Sequence, residues 1–231
     1  MTTNGSTQTV IPLKGMRGMI AEKMHNSLAS TAQLTHHAEC DVSALLRRRG
    51  LIREHGGTAS VQDLLMYYVT ATLVEHPALN GTLEDGEIRL SEAVHLSIAV
   101  SLENGLLVAP ALFDAQAMSL EALATARREL TERAHAGKLS VKEMTGGTAT
   151  VSNLGLTRVR FFTPILNAPQ IAIVGIGGTE ERLTRAPDGS IAGRPYMGLS
   201  LTFDHRAVNG APAAAFLDAL CQRIEQAPEP S

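Results

Sequence analysis

The sequence contains no tryptophan, only 3% aromatic residues and no excess of positive charge, since the formal net charge of its 231 residues is −3. Nucleic-acid recognition depends on basic patches that meet phosphates and on aromatic rings that stack on bases. The composition provides neither feature in quantity. No nucleic-acid partner is therefore expected.

Cysteine is also scarce, with only Cys40 and Cys221 in the chain. These residues form neither a metal-spaced pair nor a disulfide framework, which predicts a reduced, cytoplasmic setting. The adjacent histidines His36 and His37 fall on a predicted strand, where their side chains point to opposite faces and cannot jointly hold a metal ion. No metal site is predicted.

Long apolar runs are missing, because none approaches the ~20 residues that a membrane-spanning helix needs. The polar N-terminal residues lack the basic and apolar parts of a signal peptide, so neither a membrane span nor secretion is expected. With 44% hydrophobic residues, the chain can bury one sizeable core. We predict one domain over residues 11–226, between flexible tails at 1–10 and 227–231.

Hydrophobic periodicity predicts alternating helices and strands. Apolar residues at helical spacing start at Met16, and a capping signal at Ser60 and Asp63 begins a helix that Pro77 ends. Turn signals predict hairpins at 103–105 and 187–190. Other helices are predicted from Ser43, over 119–136 and over 211–224, and strands over 33–42, 94–100, 106–109, 148–152, 170–175 and 197–203. Hairpins mixed with helical crossovers predict an α/β fold, a two-layer structure with a mixed β-sheet covered by helices.

The most informative stretch is residues 202–210, Thr-Phe-Asp-His-Arg-Ala-Val-Asn-Gly. His205 lies there between an apolar strand and a small-residue helix, and Asp204, Arg206 and Asn209 are polar neighbours able to fix its tautomer. An imidazole held at such a boundary suits a general base. A lone histidine is more often structural than catalytic, so both interpretations stay open on these residues alone.

Residues 204–210, Asp-His-Arg-(two residues)-Asn-Gly, resemble the signature of the dihydrolipoamide acyltransferases. These proteins are the core subunits of 2-oxo acid dehydrogenase complexes and relatives of chloramphenicol acetyltransferase. The resemblance extends in order from about residue 11 to 226, through residues 14–24, 76–80, 104–110, 137–155 and 162–173. It implies a chloramphenicol acetyltransferase-like fold and a homotrimer whose active sites lie between subunits.

The resemblance implies that a short acyl group moves between dihydrolipoamide and coenzyme A by direct attack of a thiol on a thioester. His205 is then the base, and Ser152 matches the residue that donates a hydrogen bond to the oxyanion. Without the resemblance, Ser152 would be interpreted as a strand-end serine that caps a turn. Arg17 and Asp204 are expected to support the site. Ser152 followed by Asn-Leu-Gly is similar to acetyl-type members, so acetyl or a short branched-chain acyl group is expected.

The sequence departs from the family pattern in three places, which together include four residues. Asn209 stands where many members carry aspartate, so we expect it to orient the site by hydrogen bonding to Arg17 rather than to stabilise an imidazolium by charge. Arg158 and Arg160 replace a glycine-rich turn; contact with a coenzyme A phosphate is one interpretation, and a solvated loop is the favoured alternative. Phe113 stands where a basic residue is common.

Two further patterns have simple explanations. The glycine-rich residues 175–178 resemble a nucleotide-binding loop, but a strand rather than a helix is predicted to follow, so a phosphate cradle is not expected. The run Arg47, Arg48 and Arg49 is expected to form a solvated helix face. Docking of an acidic lipoyl domain is the alternative for this run.

None of the four lysines lies in a lipoylation hairpin, because each falls in a segment that matches the acyltransferase core; they are Lys14, Lys23, Lys138 and Lys142. The lipoyl group is therefore expected from another protein, with 2-oxo acid dehydrogenase components as further partners, unless the chain is an excised core. The C-terminal residues lack the apolar anchor of the large cores, which predicts a trimer that builds no hollow cage.

Two alternatives to this function follow from the same residues. One is a stand-alone coenzyme A-dependent acyltransferase that acts on a small-molecule acceptor. The other is a non-catalytic core scaffold that binds partner subunits. The presence of both His205 and Ser152 counts against the scaffold, which needs neither.

Overall fold

The computed structural model describes residues 8–102, 105–185 and 188–227. In chain order these residues form α1 (Gly15–Ser30), β1 (Gln33–Asp41), α2 (Ser43–Glu54), α3 (Val61–Glu75), β2 (Gly81–Glu84), β3 (Glu87–Leu90), β4 (Leu96–Ile98), β5 (Val100–Ser101), β6 (Leu107–Val108), β7 (Ala111–Leu112), α4 (Leu120–His135), α5 (Val141–Thr145), β8 (Ala149–Asn153), β9 (Ala172–Arg185), β10 (Ile191–Asp204) and α6 (Gly210–Glu225). Short 3-10 turns lie at Pro77–Leu79 and Ala115–Ala117.

The main sheet has six strands in the order β1-β10-β9-β8-β4-β7. Strands β4, β8 and β9 run parallel to one another, whereas the β1–β10, β10–β9 and β4–β7 pairs are antiparallel. Separate two-stranded sheets pair β2 with β3 and β5 with β6. The predicted mixed α/β sheet covered by helices is confirmed.

Local signals explain where several helices begin and end. The Ser60 hydroxyl accepts a hydrogen bond from the Asp63 N–H, and the Asp63 carboxylate accepts one from the Ser60 N–H, so two backbone donors at the start of α3 are satisfied. Ser119 caps α4 in the same way through the Ala122 N–H. After α4 the chain turns at Gly137, whose φ of +65° is accessible to glycine without steric cost.

The structure also differs from the predicted elements. The strand predicted over 94–100 is divided into β4 and β5, because Ile98 and Ala99 donate their N–H groups to Pro110 and Val151 in opposite neighbouring segments. Strands β9 and β10 are each 14 residues long, so the strands predicted over 170–175 and 197–203 continue directly into the hairpin predicted around 187–190. Helix α5 and the β2–β3 hairpin were not predicted, although Ser140 and Glu143 form a capping box that signals α5.

Some predicted features lie outside the described residues. Residues 103 and 104 of the first predicted turn and residue 187 of the second are among them, but the flanking β5–β6 and β9–β10 pairs confirm both hairpins. Most of the two predicted tails, residues 1–7 and 228–231, is also outside. The single domain over residues 11–226 stays a prediction.

The hydrophobic core lies between the main sheet and the helices, with α6 packed on β1 and α3 packed on α6 and α4. Phe203 and Phe216 are the largest fully buried side chains. Cys40 and Cys221 are both buried as free thiols within this core. Among the described helices, none combines the length and apolar character needed to span a membrane.

Asp63 carries a charge into this core. Its side chain is fully buried, and its Oδ1 accepts a hydrogen bond from Arg127 Nε of α4 at 2.5 Å. Burial alone would raise the pKa of Asp63, but the hydrogen bonds from Arg127 and Ser60 outweigh it and lower the pKa. The carboxylate therefore serves both as a helix cap and as the partner that permits Arg127 to approach the core.

We expect Asp63→Ala to lower the free energy of unfolding by about 3–5 kcal/mol, because Arg127 loses its buried counter-charge and α3 loses its cap. Urea unfolding followed by circular dichroism measures this change. Asp218→Ala is the matched control, since Asp218 is exposed on α6 and surface changes usually stay within about 0.5 kcal/mol. Equal effects of the two substitutions would contradict the structural role of Asp63.

Candidate active site

The turn that carries His205 joins the end of β10 to the start of α6. Asp204, the last residue of β10, is 1% exposed, and its Oδ1 accepts hydrogen bonds from the Ala32 N–H at 3.2 Å and the Arg206 N–H at 3.1 Å. Its carbonyl oxygen accepts from Ala207 and Val208 at 2.9 and 3.0 Å. One buried residue therefore ties the turn to the segment between α1 and β1.

Asp204 is held ionised by its neighbours. Burial alone would raise the pKa of its carboxyl group, but hydrogen bonds from Arg206 and the Ala32 N–H reverse this effect and lower the pKa. The guanidinium of Arg206 contacts both carboxylate oxygens, with Nε 3.0 Å from Oδ1 and a terminal nitrogen 2.6 Å from Oδ2. The charge of Asp204 is thus directed at Arg206, and its role at this turn is structural.

His205 itself projects from the turn. Its backbone N–H donates to the Ala32 carbonyl at 2.8 Å, while its side chain is exposed, with the ring centroid 5.8 Å from that of Phe203. The backbone is therefore fixed and the imidazole is accessible. An accessible imidazole on a fixed backbone can exchange a proton with a bound molecule.

Asn209 and Arg17 are both exposed. Asn209 is the N-cap residue of α6, yet its side chain makes no capping hydrogen bond, so its amide is available to another partner. Arg17 lies in the first turns of α1, on the helix whose C-terminal end leads to Ala32. A hydrogen bond between Asn209 and Arg17, expected from the sequence, stays a prediction.

Ser152 lies on β8 at the wall of an apolar cavity of about 520 Å³. Most of its lining comes from apolar side chains, including Met16, Met19, Ile20 and Met24 on one face of α1. Within the described chain, the half-buried Ser152 hydroxyl has no hydrogen-bond partner. A free hydroxyl in apolar surroundings is suited to donate to a developing negative charge.

A buried polar network lies beside Ser152. Thr150, two residues earlier on the same strand face, donates its hydroxyl to Gln170 Oε1 at 2.5 Å, and Gln170 Nε2 donates to Ser97 Oγ at 3.1 Å. The network links β4, β8 and the segment before β9, and it uses the polar atoms of Thr150 and Gln170. Ser152 is therefore the serine or threonine hydroxyl at this cavity that is left available, among the described residues.

The glycine-rich residues 175–178 belong to β9 and have a structural purpose. Residues 157–162, which we call the strap, cross the face of the sheet directly above them. A Cβ atom at Gly178 would lie 2.6 Å from the Thr157 carbonyl oxygen, and one at Gly177 would collide with the Arg160 carbonyl oxygen. The Gly178 N–H donates to the Val159 carbonyl at 2.7 Å. β9 continues to Arg185 without a helix, as expected.

Sequence reasoning missed Phe162 at the cavity and Gln170 in the polar network beside it. Phe162 ends the strap and lines the cavity, and Gln170 holds the polar network. The glycines of β9 were the available signal, because glycine within a strand often marks a close approach of another backbone.

The two arginines of the strap differ in their surroundings. Arg160 forms ion pairs with Glu39 and with Glu180, the latter at 3.3 Å, and Glu39 also pairs with Arg182. The charge of Arg160 is thus already balanced within the chain. Arg158 is exposed and forms no ion pair with the described residues.

Other charged and metal-ligating residues from the sequence have ordinary roles. Arg48 donates to the Tyr68 hydroxyl at 2.7 Å and lies over the Tyr68 ring, whereas Arg47 is exposed. His36 packs against Phe203, and His37 Nδ1 is 2.9 Å from Ser200 Oγ. The described part of the chain contains no group of three or more histidine, cysteine, aspartate or glutamate side chains placed to hold a metal ion.

One chain does not bring Ser152 and His205 together. Ser152 pairs with Gly175, and Gly175 pairs with Ser200, five residues before His205. Five residues at about 3.3 Å and two strand spacings of about 4.8 Å give a separation of about 19 Å between their backbone positions. A base and an oxyanion donor that act on one carbonyl group must both lie within hydrogen-bond reach of it. The two residues therefore cannot serve one reaction within a single chain.

Residues 5–230 match the sequence profile of the family described as 2-oxoacid dehydrogenases acyltransferase (catalytic domain). The chain is 38% identical to the acetyltransferase component of the acetoin cleaving system of Bacillus subtilis, covering 94% of this chain and 55% of that protein. It is 37% identical to the lipoamide acyltransferase component of the branched-chain alpha-keto acid dehydrogenase complex of Pseudomonas putida, covering 94% of this chain and 52% of that protein. It is 35% identical to the mitochondrial succinyltransferase component of the 2-oxoglutarate dehydrogenase complex of Saccharomyces cerevisiae, covering 95% of this chain and 48% of that protein.

Solved structures give the same result for the fold. Dihydrolipoamide acetyltransferase of Azotobacter vinelandii superposes with a TM-score of 0.87 at 27% identity, covering 97% of this chain and 94% of that one. That structure belongs to an investigation of one serine, one histidine and one asparagine in the catalytic mechanism of the Azotobacter enzyme. Chloramphenicol acetyltransferase superposes with a TM-score of 0.58 at 16% identity, covering 95% and 98%, and confirms the chloramphenicol acetyltransferase-like fold.

The chain spans about half the length of the curated relatives it matches. Its own length is nevertheless covered almost completely by the family profile and by the superposed acetyltransferase. The chain therefore belongs to the 2-oxoacid dehydrogenase acyltransferase (catalytic domain) family.

Proposed function

We propose that this chain transfers a short acyl group between dihydrolipoamide, carried by another protein, and coenzyme A. The observation that carries the proposal is the available Ser152 hydroxyl on the wall of an apolar cavity, in a chain that also presents the accessible imidazole of His205. The serine, histidine and asparagine studied in the Azotobacter enzyme support it, since the asparagine there follows the histidine by four residues, as Asn209 follows His205.

His205 acts as the base in the proposed reaction. Its imidazole takes the S–H proton as the thiol sulfur forms a bond to the thioester carbonyl carbon. The carbonyl oxygen becomes an oxyanion and accepts a hydrogen bond from the Ser152 hydroxyl. The original C–S bond then breaks, and the imidazolium returns the proton to the leaving thiolate. Because the two substrates exchange one acyl group directly, no acyl-enzyme is required.

The rate gains expected from His205 and Ser152 differ in size. A thiol with an ordinary pKa of about 8.5 is about 3% ionised at pH 7, so supplying thiolate gains about thirtyfold. A single oxyanion donor contributes about 3 kcal/mol, or about a hundredfold. The rest of the rate enhancement must come from holding the two thiol compounds in line, which binding in the apolar cavity favours.

The proposed active site contains two copies of the chain. Because Ser152 and His205 are about 19 Å apart along one sheet, the histidine must come from a neighbouring subunit. A cyclic homotrimer supplies three equivalent sites of this kind. Asp204 and Arg17 support each site through the turn and through α1.

Arg158 is the better candidate for contact with a coenzyme A phosphate, because the charge of Arg160 is already paired with Glu39 and Glu180.

The lipoyl-bearing protein and the 2-oxo acid dehydrogenase components are the proposed partners, and residues 11–226 form the proposed catalytic domain in the cytoplasm. No metal takes part in the proposed chemistry.

We expect the protein to exchange acetyl groups between acetyl-CoA and free dihydrolipoamide. At pH 7, His205→Ala should lower kcat/KM about thirtyfold, and part of this loss should disappear near pH 9, where the thiol ionises without a base. Ser152→Ala should lower kcat/KM about a hundredfold at both pH values, because the oxyanion needs its donor regardless of how the thiolate forms. Steady-state assays with both variants measure these effects.

Three results would contradict the proposal. Activity with acyl-CoA as the donor but none with dihydrolipoamide as the acceptor would indicate a transferase that acts on another acceptor. Full activity of both variants would remove the proposed site, and inactivity of the wild-type protein with every acyl-CoA would favour a scaffold.

Asn209→Ala should lower turnover far less than His205→Ala. The asparagine side chain orients its surroundings by a neutral hydrogen bond, whose removal costs about 1 kcal/mol, or about fivefold. Steady-state kinetics at saturating substrates compare the two variants. Equal losses would show that Asn209 takes a direct part in proton transfer.

Hybrid trimers of Ser152→Ala and His205→Ala subunits should regain activity. Co-expression with two different affinity tags and purification over both gives trimers that contain each variant. In a cyclic trimer of this composition, one of the three interfaces joins an intact serine to an intact histidine, so about one third of the wild-type activity is expected.

The matched control combines His205→Ala subunits with subunits that carry both substitutions, and it should stay inactive. If the doubly purified hybrids of the two single variants were also inactive, the site would have to lie within one subunit. Light scattering on the wild-type protein reports whether the trimer exists and whether it assembles further into a cage.

A further inference from the structure

Phe162 forms one wall of the cavity beside Ser152. Its ring rests on Gly175, where a Cβ atom would lie 2.8, 3.0 and 3.3 Å from three ring carbons. Gly175 is the direct partner of Ser152 in the parallel β8–β9 pair. The ring therefore stands next to the Ser152 hydroxyl, one strand away on the same face of the sheet.

The strap and the sheet hold the ring in this place. The Phe162 N–H points to Ser200 Oγ at 3.5 Å, and Ser200 Oγ is 2.9 Å from His37 Nδ1. The strap backbone before Phe162 lies so close to β9 and β10 that Cβ atoms at Gly177 and Gly198 would collide with the Arg160 carbonyl oxygen. The ring cannot move closer to the sheet, and the backbone of Phe162 has little freedom to move away from the cavity.

The space between Ser152 and the ring is therefore short. Neighbouring strands lie about 4.8 Å apart, and carbon atoms make contact at about 3.5–4.0 Å. An acyl carbonyl whose oxygen accepts from Ser152 can direct one methyl group towards Phe162 at contact distance. A longer or branched acyl chain pointing in that direction meets the ring.

We propose that Phe162, seated on Gly175, limits the size of the acyl group that this chain transfers and selects acetyl over branched acyl groups. The inference rests on the proposed function and deepens it by naming the side chain that selects the acyl group. Overall sequence identity does not indicate which acyl group is transferred. The acetyltransferase, succinyltransferase and branched-chain acyltransferase relatives are 38%, 35% and 37% identical to this chain.

Because the Phe162 ring rests on Gly175, substitution of the glycine offers a second, independent test of the role of the ring. A methyl group at position 175 would push the ring towards Ser152 and narrow the space further, whereas removal of the ring would leave that methyl group without a clash. The effects of substitutions at Gly175 and Phe162 on kcat/KM should therefore be strongly non-additive, as is expected for residues in contact.

The test compares kcat/KM for acetyl-CoA and for 3-methylbutanoyl-CoA, with dihydrolipoamide as the acceptor. Phe162→Ala should shift the ratio of the two values at least tenfold towards the branched substrate, since one methylene group in an apolar pocket is worth about 10- to 200-fold. Gly175→Ala should lower activity with both substrates. The double variant should behave like Phe162→Ala alone.

Phe113→Ala is the control, because Phe113 packs against His95 and Lys142 rather than lining this cavity; its ratio should match that of the wild type. If Phe162→Ala does not fold, as judged by thermal unfolding, Phe162→Leu should give a smaller shift in the same direction. A ratio unchanged within about threefold in the folded variant would overturn the proposal. Inactivity of the wild-type protein with both substrates would instead overturn the proposed function.

Discussion

The hydrogen-bonded register of β8, β9 and β10 is the constraint on which the candidate site depends. It places Ser152 beside Gly175 and Gly175 beside Ser200, and it leaves His205 at the far end of β10. A register shift by one residue would turn Ser152 away from the cavity, because successive side chains point to opposite faces of a strand. The same register separates the serine from the histidine by about 19 Å, so the proposed reaction requires a second copy of the chain.

Close packing of backbone on backbone is the second determinant of the site. The strap crosses β9 and β10 where Gly175, Gly177 and Gly198 leave out their side chains. Because the strap ends at Phe162, this packing carries an aromatic ring to the cavity beside Ser152. A run that looks in sequence like a phosphate-binding loop is thus a contact surface for another part of the same chain.

Buried carboxylates secure the elements that surround this arrangement. Asp204 joins the His205 turn to Ala32, and Asp63 joins α3 to Arg127 of α4. In both cases burial of the charge is compensated by a guanidinium and by backbone donors, which is the condition for an ionised group to be tolerated in a core. Because Asp204 is occupied by Arg206 and backbone donors, the imidazole of His205 is the group at this turn with an accessible proton site.

The sequence alone determined the order and type of most elements, because apolar periodicity, the Ser60 capping signal and the turn glycines act over short distances. It also determined the family, through the motif around His205 and the ordered segments that accompany it. The resemblance implied an active site between subunits, but the residues alone could not show how far apart Ser152 and His205 lie in one chain. Nor could they show that Arg160 is neutralised by Glu39 and Glu180, or that Phe162 rests on Gly175. These relations join residues from distant segments, and only the pairing of strands and the packing of the strap across them bring such residues together or keep them apart.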